Sequence, residues 1–85
     1  MLDDDRLDAL LATGVVVNET FNLTRTANVT RDGTLIHNCD FANKDGSARA
    51  FLNISASNVV VTNCKLGVRV YDEMSTLYDM LDEPR

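Results

Sequence analysis

Asn28-Val-Thr-Arg-Asp-Gly-Thr-Leu-Ile-His-Asn-Cys-Asp-Phe41 lies over Asn53-Ile-Ser-Ala-Ser-Asn-Val-Val-Val-Thr-Asn-Cys-Lys-Leu66, without a gap, at an offset of 25 residues. Asn28/Asn53, Asn38/Asn63 and Cys39/Cys64 are identical, and Val29/Ile54, Thr30/Ser55, Leu35/Val60, Ile36/Val61 and Phe41/Leu66 are near-equivalents. A fainter copy lies upstream, where Val15-Val-Val-Asn-Glu-Thr-Phe21 matches Leu35-Ile-His-Asn-Cys-Asp-Phe41 at an offset of 20. Self-similarity at such a period marks a stacked architecture, in which one unit cannot bury its apolar face alone. Unequal offsets suit fixed strands joined by variable loops, and residues 42–48 read as the longer loop.

Three short β-rich stretches carry the repeat, at 14–18, 34–38 and 59–63. Strand alternation puts Val16, Ile36 and Val61 on one face and Val15, Leu35 and Val60 on the other. Both faces are apolar, and a strand apolar on both sides is normally covered on both sides. The outward column therefore calls for a partner. Asn18, Asn38 and Asn63 follow the strands. Asn tolerates left-handed backbone and bonds nearby main chain, so the three are expected to form a ladder at successive turns. Phe21, Phe41, Leu66 and Phe51 are expected in the core. Val29 and Ile54 mark a second strand column, and residues 67–71 alternate as a final strand, with Val68 and Val70 on one side.

Rungs of this length with two or three short strands predict a mainly β chain, a parallel β-helix of about three coils spanning 14–71. The end rungs of such a stack need covers. Within 1–13, Leu7, Leu10 and Leu11 share a face, Asp3–Asp5 favour the positive end of a helix, and Gly14 follows its close. Within 72–83, Asp72 is placed to cap a second helix carrying Met74, Leu77, Tyr78 and Leu81 at helical spacing. The expectation is one domain, 1–85, with a helix over each end.

Eighty-five residues with a net charge of −5 make a small domain, and oligomerisation is the natural source of added stability. The acidic balance argues against nucleic acid, which needs a basic face. No stretch has the length of an apolar membrane span. The acidic N-terminus is unlike a secretory signal, and Met1 leads to the expectation of a complete small product. Asp3, Asp4 and Asp5 form an acidic tip that could contact a basic partner surface.

Asn58-Val-Val-Val-Thr-Asn-Cys-Lys-Leu66 resembles a rung of the right-handed parallel β-helix of pectate lyase-like proteins, a repeat that also builds phage tailspikes and other trimeric virion parts. The resemblance implies a fold rather than a chemistry, because enzymes of the family have many more rungs than this chain supplies.

Chemistry is sparse. His37, the lone histidine, takes the outward place of Val17 and Thr62, and no serine is marked as activated. Cys39 and Cys64 share one repeat position about 4.8 Å apart, the strand spacing; that distance suits a disulfide or two stacked thiols. Two cysteines and a distant histidine are too few for a metal site. Asp40 stacks on Lys65 as a surface pair. Asn18, Asn22, Asn28 and Asn53 head Asn-x-Ser/Thr triplets, of which Asn28 and Asn53 are one repeat position seen twice.

The sequence thus predicts a non-enzymatic structural protein without cofactor or metal. Its copies would associate, as a trimer, through Val15, Val17, Leu35, His37 and Val60. The virion setting, as a decoration or cement protein or small tail component on a capsid or tail partner, comes from the resemblance alone. The competing expectation is a piece of a larger β-helix that binds or cleaves polysaccharide, with Glu19, Asp40 or Lys65 near the sugar.

Overall fold

A computed structural model describes residues 1–72 together with the backbone of the strand at 77–80. The chain is mainly β, with parallel sheets and one short helix, α1 (Asp4–Thr13). The strands are β1 (Val15–Val17), β2 (Thr20–Asn22), β3 (Ala27–Val29), β4 (Leu35–His37), β5 (Asp40–Ala42), β6 (Phe51–Ile54), β7 (Val60–Leu66), β8 (Arg69–Asp72) and β9 (Leu77–Met80).

Pairing follows the sequence repeat. β1 pairs β4, and β4 pairs the first half of β7, with Val15, Leu35 and Val60 in register. β2 pairs β5, and β5 pairs the second half of β7, aligning Asp40 with Lys65 and Phe41 with Leu66. β3, β6 and β8 form a separate three-stranded sheet in that order. The chain thus visits three strand columns in the same order at each pass, and the offsets of 25 and 20 are the lengths of two passes.

Alternation sets what is buried. Val16, Ile36 and Val61 face inward from the first column, Phe21 and Phe41 from the second, and Val29, Leu52 and Ile54 from the third. The rings of Phe21 and Phe41 stack with centroids 5.3 Å apart and planes 13° from parallel, a contact worth about 0.5–1.5 kcal/mol beyond the area it buries. Leu66, Val68 and Val70 pack against this core while remaining partly exposed. Phe51 departs from expectation. Leu52 takes the inward place, aligned with Ala27 and Val70, and Phe51 turns outward, edge-on to Tyr71 at 4.7 Å.

Turns between columns use left-handed backbone. Asn18, Asn38 and Asn63 have φ of 58°, 56° and 55°, the region that asparagine enters at least cost after glycine. The expected ladder forms: Asn38 Nδ2 donates to Asn18 Oδ1 at 2.8 Å, and Asn63 Nδ2 to Asn38 Oδ1 at 3.2 Å. A second ladder joins Asn53 Nδ2 to Asn28 Oδ1 at 3.2 Å. Gly67 is required by a close approach. A Cβ there would stand 2.7 Å from the carbonyl oxygen of Phe41, the same oxygen that accepts the Gly67 N–H at 2.7 Å.

The N-terminal helix forms where expected. Asp3 caps it by accepting the Arg6 N–H at 3.0 Å, and Gly14, at φ 84°, closes it. Leu7 and Leu11 are buried against the stack. Arg31 Nη1 donates to the Ala12 carbonyl at 3.3 Å, placing a cation at the negative end of the helix dipole.

The predicted C-terminal helix is corrected. Asp72 ends β8 instead of capping a helix, and Leu77–Met80 forms β9, parallel to β7. An unpaired strand edge offers a row of backbone groups, and this row outweighs a helical spacing of apolar residues. The remainder of that predicted helix, 73–76 and 81–83, lies outside the described residues.

Candidate interaction surface

Four of the five proposed interface residues are exposed. On β1 and β4 only the middle residue is buried, so Val15, Val17, Leu35 and His37 all face solvent. Val15 is 50% exposed, and Val17 and Leu35 are each 37%. Val60, on the inner strand β7, is half-buried. Two parallel rows result. One runs Val15, Leu35, Val60; the other runs Val17, His37, Thr62. His37 Nδ1 lies 2.9 Å from Thr62 Oγ1. That tie gives the imidazole a defined orientation on the sheet, with the other ring nitrogen as a further polar group.

These apolar side chains sit on strands packed from beneath by the buried Val16, Ile36 and Val61 and tied at the side by the asparagine ladder. A surface held this way loses little ordering entropy on docking. Val15, Val17, Leu35 and Tyr71, with Met1, are the exposed large apolar residues among those described. Three of these five lie together on the β1–β4 face.

The acidic tip resolves into three roles. Asp3 is the helix cap. Asp4 is corrected from a partner-binding residue to an internal one. Its carboxylate accepts the Thr24 hydroxyl at 2.6 Å, the Thr24 N–H at 3.0 Å and the Arg25 N–H at 3.3 Å, and the residue is buried. Burial pushes its carboxyl upward, but the Thr24 hydroxyl, the Thr24 and Arg25 N–H groups and the Arg25 charge together hold it below the ordinary value. Asp5 is exposed, as Asp3 is, and pairs with Arg25 at 3.0 Å; Arg25 also holds Asp8 at 2.5 Å. The triad of Asp4, Asp5 and Asp8 around Arg25 ties α1 to the β2–β3 turn.

A cluster that the repeat did not reveal occupies the outer face of the third sheet. The Arg69 guanidinium carbon lies 5.9 Å from the ring centroids of both Phe51 and Tyr71. Phe51 and Arg69 are register partners, but they are 18 residues apart, so no comparison at the main offset brings them together.

Cys39 and Cys64 are both buried free thiols. Cys64 Sγ accepts the Cys39 N–H at 3.4 Å. Cys39 Sγ lies 3.3 Å from the His37 carbonyl oxygen, and Cys64 Sγ lies 3.2 Å from that of Thr62. Hydrogen bonding to Cys64, then burial, pushes the Cys39 thiol far above the ordinary range, which leaves Cys64 the more acidic of the two.

Two shallow hollows flank α1. One, of about 340 Å³, is lined by Asp8, Leu11, Ala12, Asn28, Thr30 and Arg31. The other, of about 410 Å³, lies beside Met1, Leu2 and Asn22. Among the described residues no group of three or more His, Cys, Asp or Glu side chains converges as a metal site, and no helix is long and apolar enough to cross a membrane. Glu19, Asp40 and Lys65, the residues of the sugar-acting expectation, lie along the β2–β5–β7 side; Asp40 and Lys65 are register partners. No family model, no curated protein and no solved structure matches the chain.

Proposed function

We propose that the chain is a short parallel β-helix with a structural, non-catalytic role, and that copies of it associate through the face bearing Val15, Val17, Leu35, His37 and Val60. The observation that carries this reading is the 50% and 37% exposure of Val15 and Leu35 on strands whose inward residues already fill the core. A contiguous exposed apolar patch marks an interaction site. A closed ring of three copies buries the patch once per copy and leaves no open end, as cyclic symmetry requires. In this reading the oligomer clamps or decorates a larger assembly, and the resemblance to viral β-helices suggests a capsid or tail as that assembly.

The test is Leu35→Asp. Its side chain is outward, so the substitution spares the core while placing a charge in the proposed contact. The variant is expected to keep the wild-type circular dichroism and to sediment as a single chain. A variant with unchanged mass contradicts the assignment of this face. A second reading, a piece of a longer polysaccharide-acting β-helix, is favoured by the partial exposure of Leu66, Val68 and Val70, inward positions that a further rung would cover. It predicts a monomeric chain whose Asp40 and Lys65 signals shift with added oligosaccharide.

A further inference from the structure

Cys39 and Cys64 stand in the same column of the stack, flanked by paired neighbours. Before them, Asn63 Nδ2 bonds Asn38 Oδ1 at 3.2 Å. After them, Asp40 aligns with Lys65. The pair is therefore held at one strand spacing, about 4.8 Å between backbones, within the Cα separation that a disulfide spans. Both side chains point into the core, at 3% and 0% exposure, and the Cys39 N–H reaches Cys64 Sγ at 3.4 Å. The 25 residues from one cysteine to the other run through β5, the 43–50 connection, β6 and the first part of β7, which is one full pass through the three columns.

We propose that Cys39 and Cys64 form a redox-reversible lock that closes this pass covalently when the protein meets a small peroxide oxidant. The chemistry balances in two steps. The Cys64 thiolate attacks one peroxide oxygen, the O–O bond breaks, and hydroxide leaves, giving a sulfenic acid at Cys64. The Cys39 sulfur then attacks that sulfur, the S–O bond breaks, and water leaves as the S–S bond forms. Two thiols are oxidised by two electrons in all, and one peroxide is reduced to two waters. A dithiol reductant reverses the bond by exchange. Because neither sulfur is exposed, the reaction proceeds from brief openings of the stack and is slow compared with that of a surface thiol.

The lock removes a long loop from the freedom of the unfolded chain. The expected gain corresponds to a rise in Tm of roughly 10–20 °C. The test uses the full chain treated with hydrogen peroxide at low molar excess. Intact mass spectrometry should show the loss of two hydrogens and peptide mapping a Cys39–Cys64 link. Tm should rise and then return on treatment with dithiothreitol. Cys64→Ala, checked by circular dichroism for retained fold, should lose the link and the Tm rise. The proposal is overturned by disulfides between chains only, by oxidation that stops at sulfinic acid, or by a linked product with unchanged or lowered Tm.

Discussion

Asn38 combines two demands in one side chain. Its backbone is left-handed, with φ of 56°, and its amide both donates to Asn18 and accepts from Asn63. Asn38→Ala should cost about 2–3 kcal/mol, from strained backbone and two lost side-chain bonds. Asn38→Gly removes the same bonds but relieves the backbone, so it should recover about 1 kcal/mol of that loss. Denaturant midpoints of the two variants separate the contributions; equal midpoints would show that the backbone strain is unimportant. Asp4 makes a pH-dependent prediction. Its folded carboxyl titrates below the ordinary value of 3.8. The stability it supplies is therefore fully present above the unfolded value and drains away as pH falls through the folded one. Asp4→Asn should destabilise the chain by about 1–3 kcal/mol at neutral pH, and the gap to wild type should close below about pH 4. A gap that is constant with pH would mean that the charge contributes nothing. The asparagine ladder was legible because a recurring residue type at a recurring place has one economical explanation. The burial of Asp4 was not: its partners, Thr24 and Arg25, lie 20 and 21 residues away, and nothing in an Asp-rich terminus distinguishes a solvated acid from a docked one.

At the scale of elements, α1 covers the first pass of the strand columns and is bound to it twice, by Leu7 and Leu11 within the core and by the Asp4, Asp5 and Asp8 contacts to Arg25. Leu7 is fully buried, so Leu7→Ala should cost about 2–5 kcal/mol. Because the helix is the cover of this end, hydrogen exchange should rise first in β1–β3. Uniform acceleration across β1–β8 would show instead that the stack opens only as a whole. This helix could be read from the sequence because the cap, the apolar stripe and the closing glycine agree. The other predicted helix had an apolar spacing of the same kind, yet Leu77–Met80 pairs with β7. Spacing alone cannot anticipate that competition, since Leu77 and Tyr78 also fit as register partners of Val60 and Val61. The outward turn of Phe51 has a similar origin. In Phe51-Leu52-Asn53-Ile54 two adjacent apolar residues leave the phase open, and only pairing with β3 selects Leu52 and Ile54 for the interior.

For the whole molecule, parallel strands, their order and their register follow from the offsets of 25 and 20 residues, because each pass places equivalent residues one strand apart. The exposure of the outward column was legible for the same reason: inward and outward columns are both apolar, and only one of them can be inside. The cluster of Arg69, Phe51 and Tyr71 was not, since β8 follows a shorter pass that breaks the main repeat. The central claim is that the outward column is an interface between copies. The measurement that addresses it most directly is the solution mass of the wild-type chain by light scattering on a sizing column, with Leu35→Asp run beside it. The account predicts a wild-type particle of three times the 9.4 kDa chain mass and a variant of one chain mass. A monodisperse wild-type monomer would contradict it.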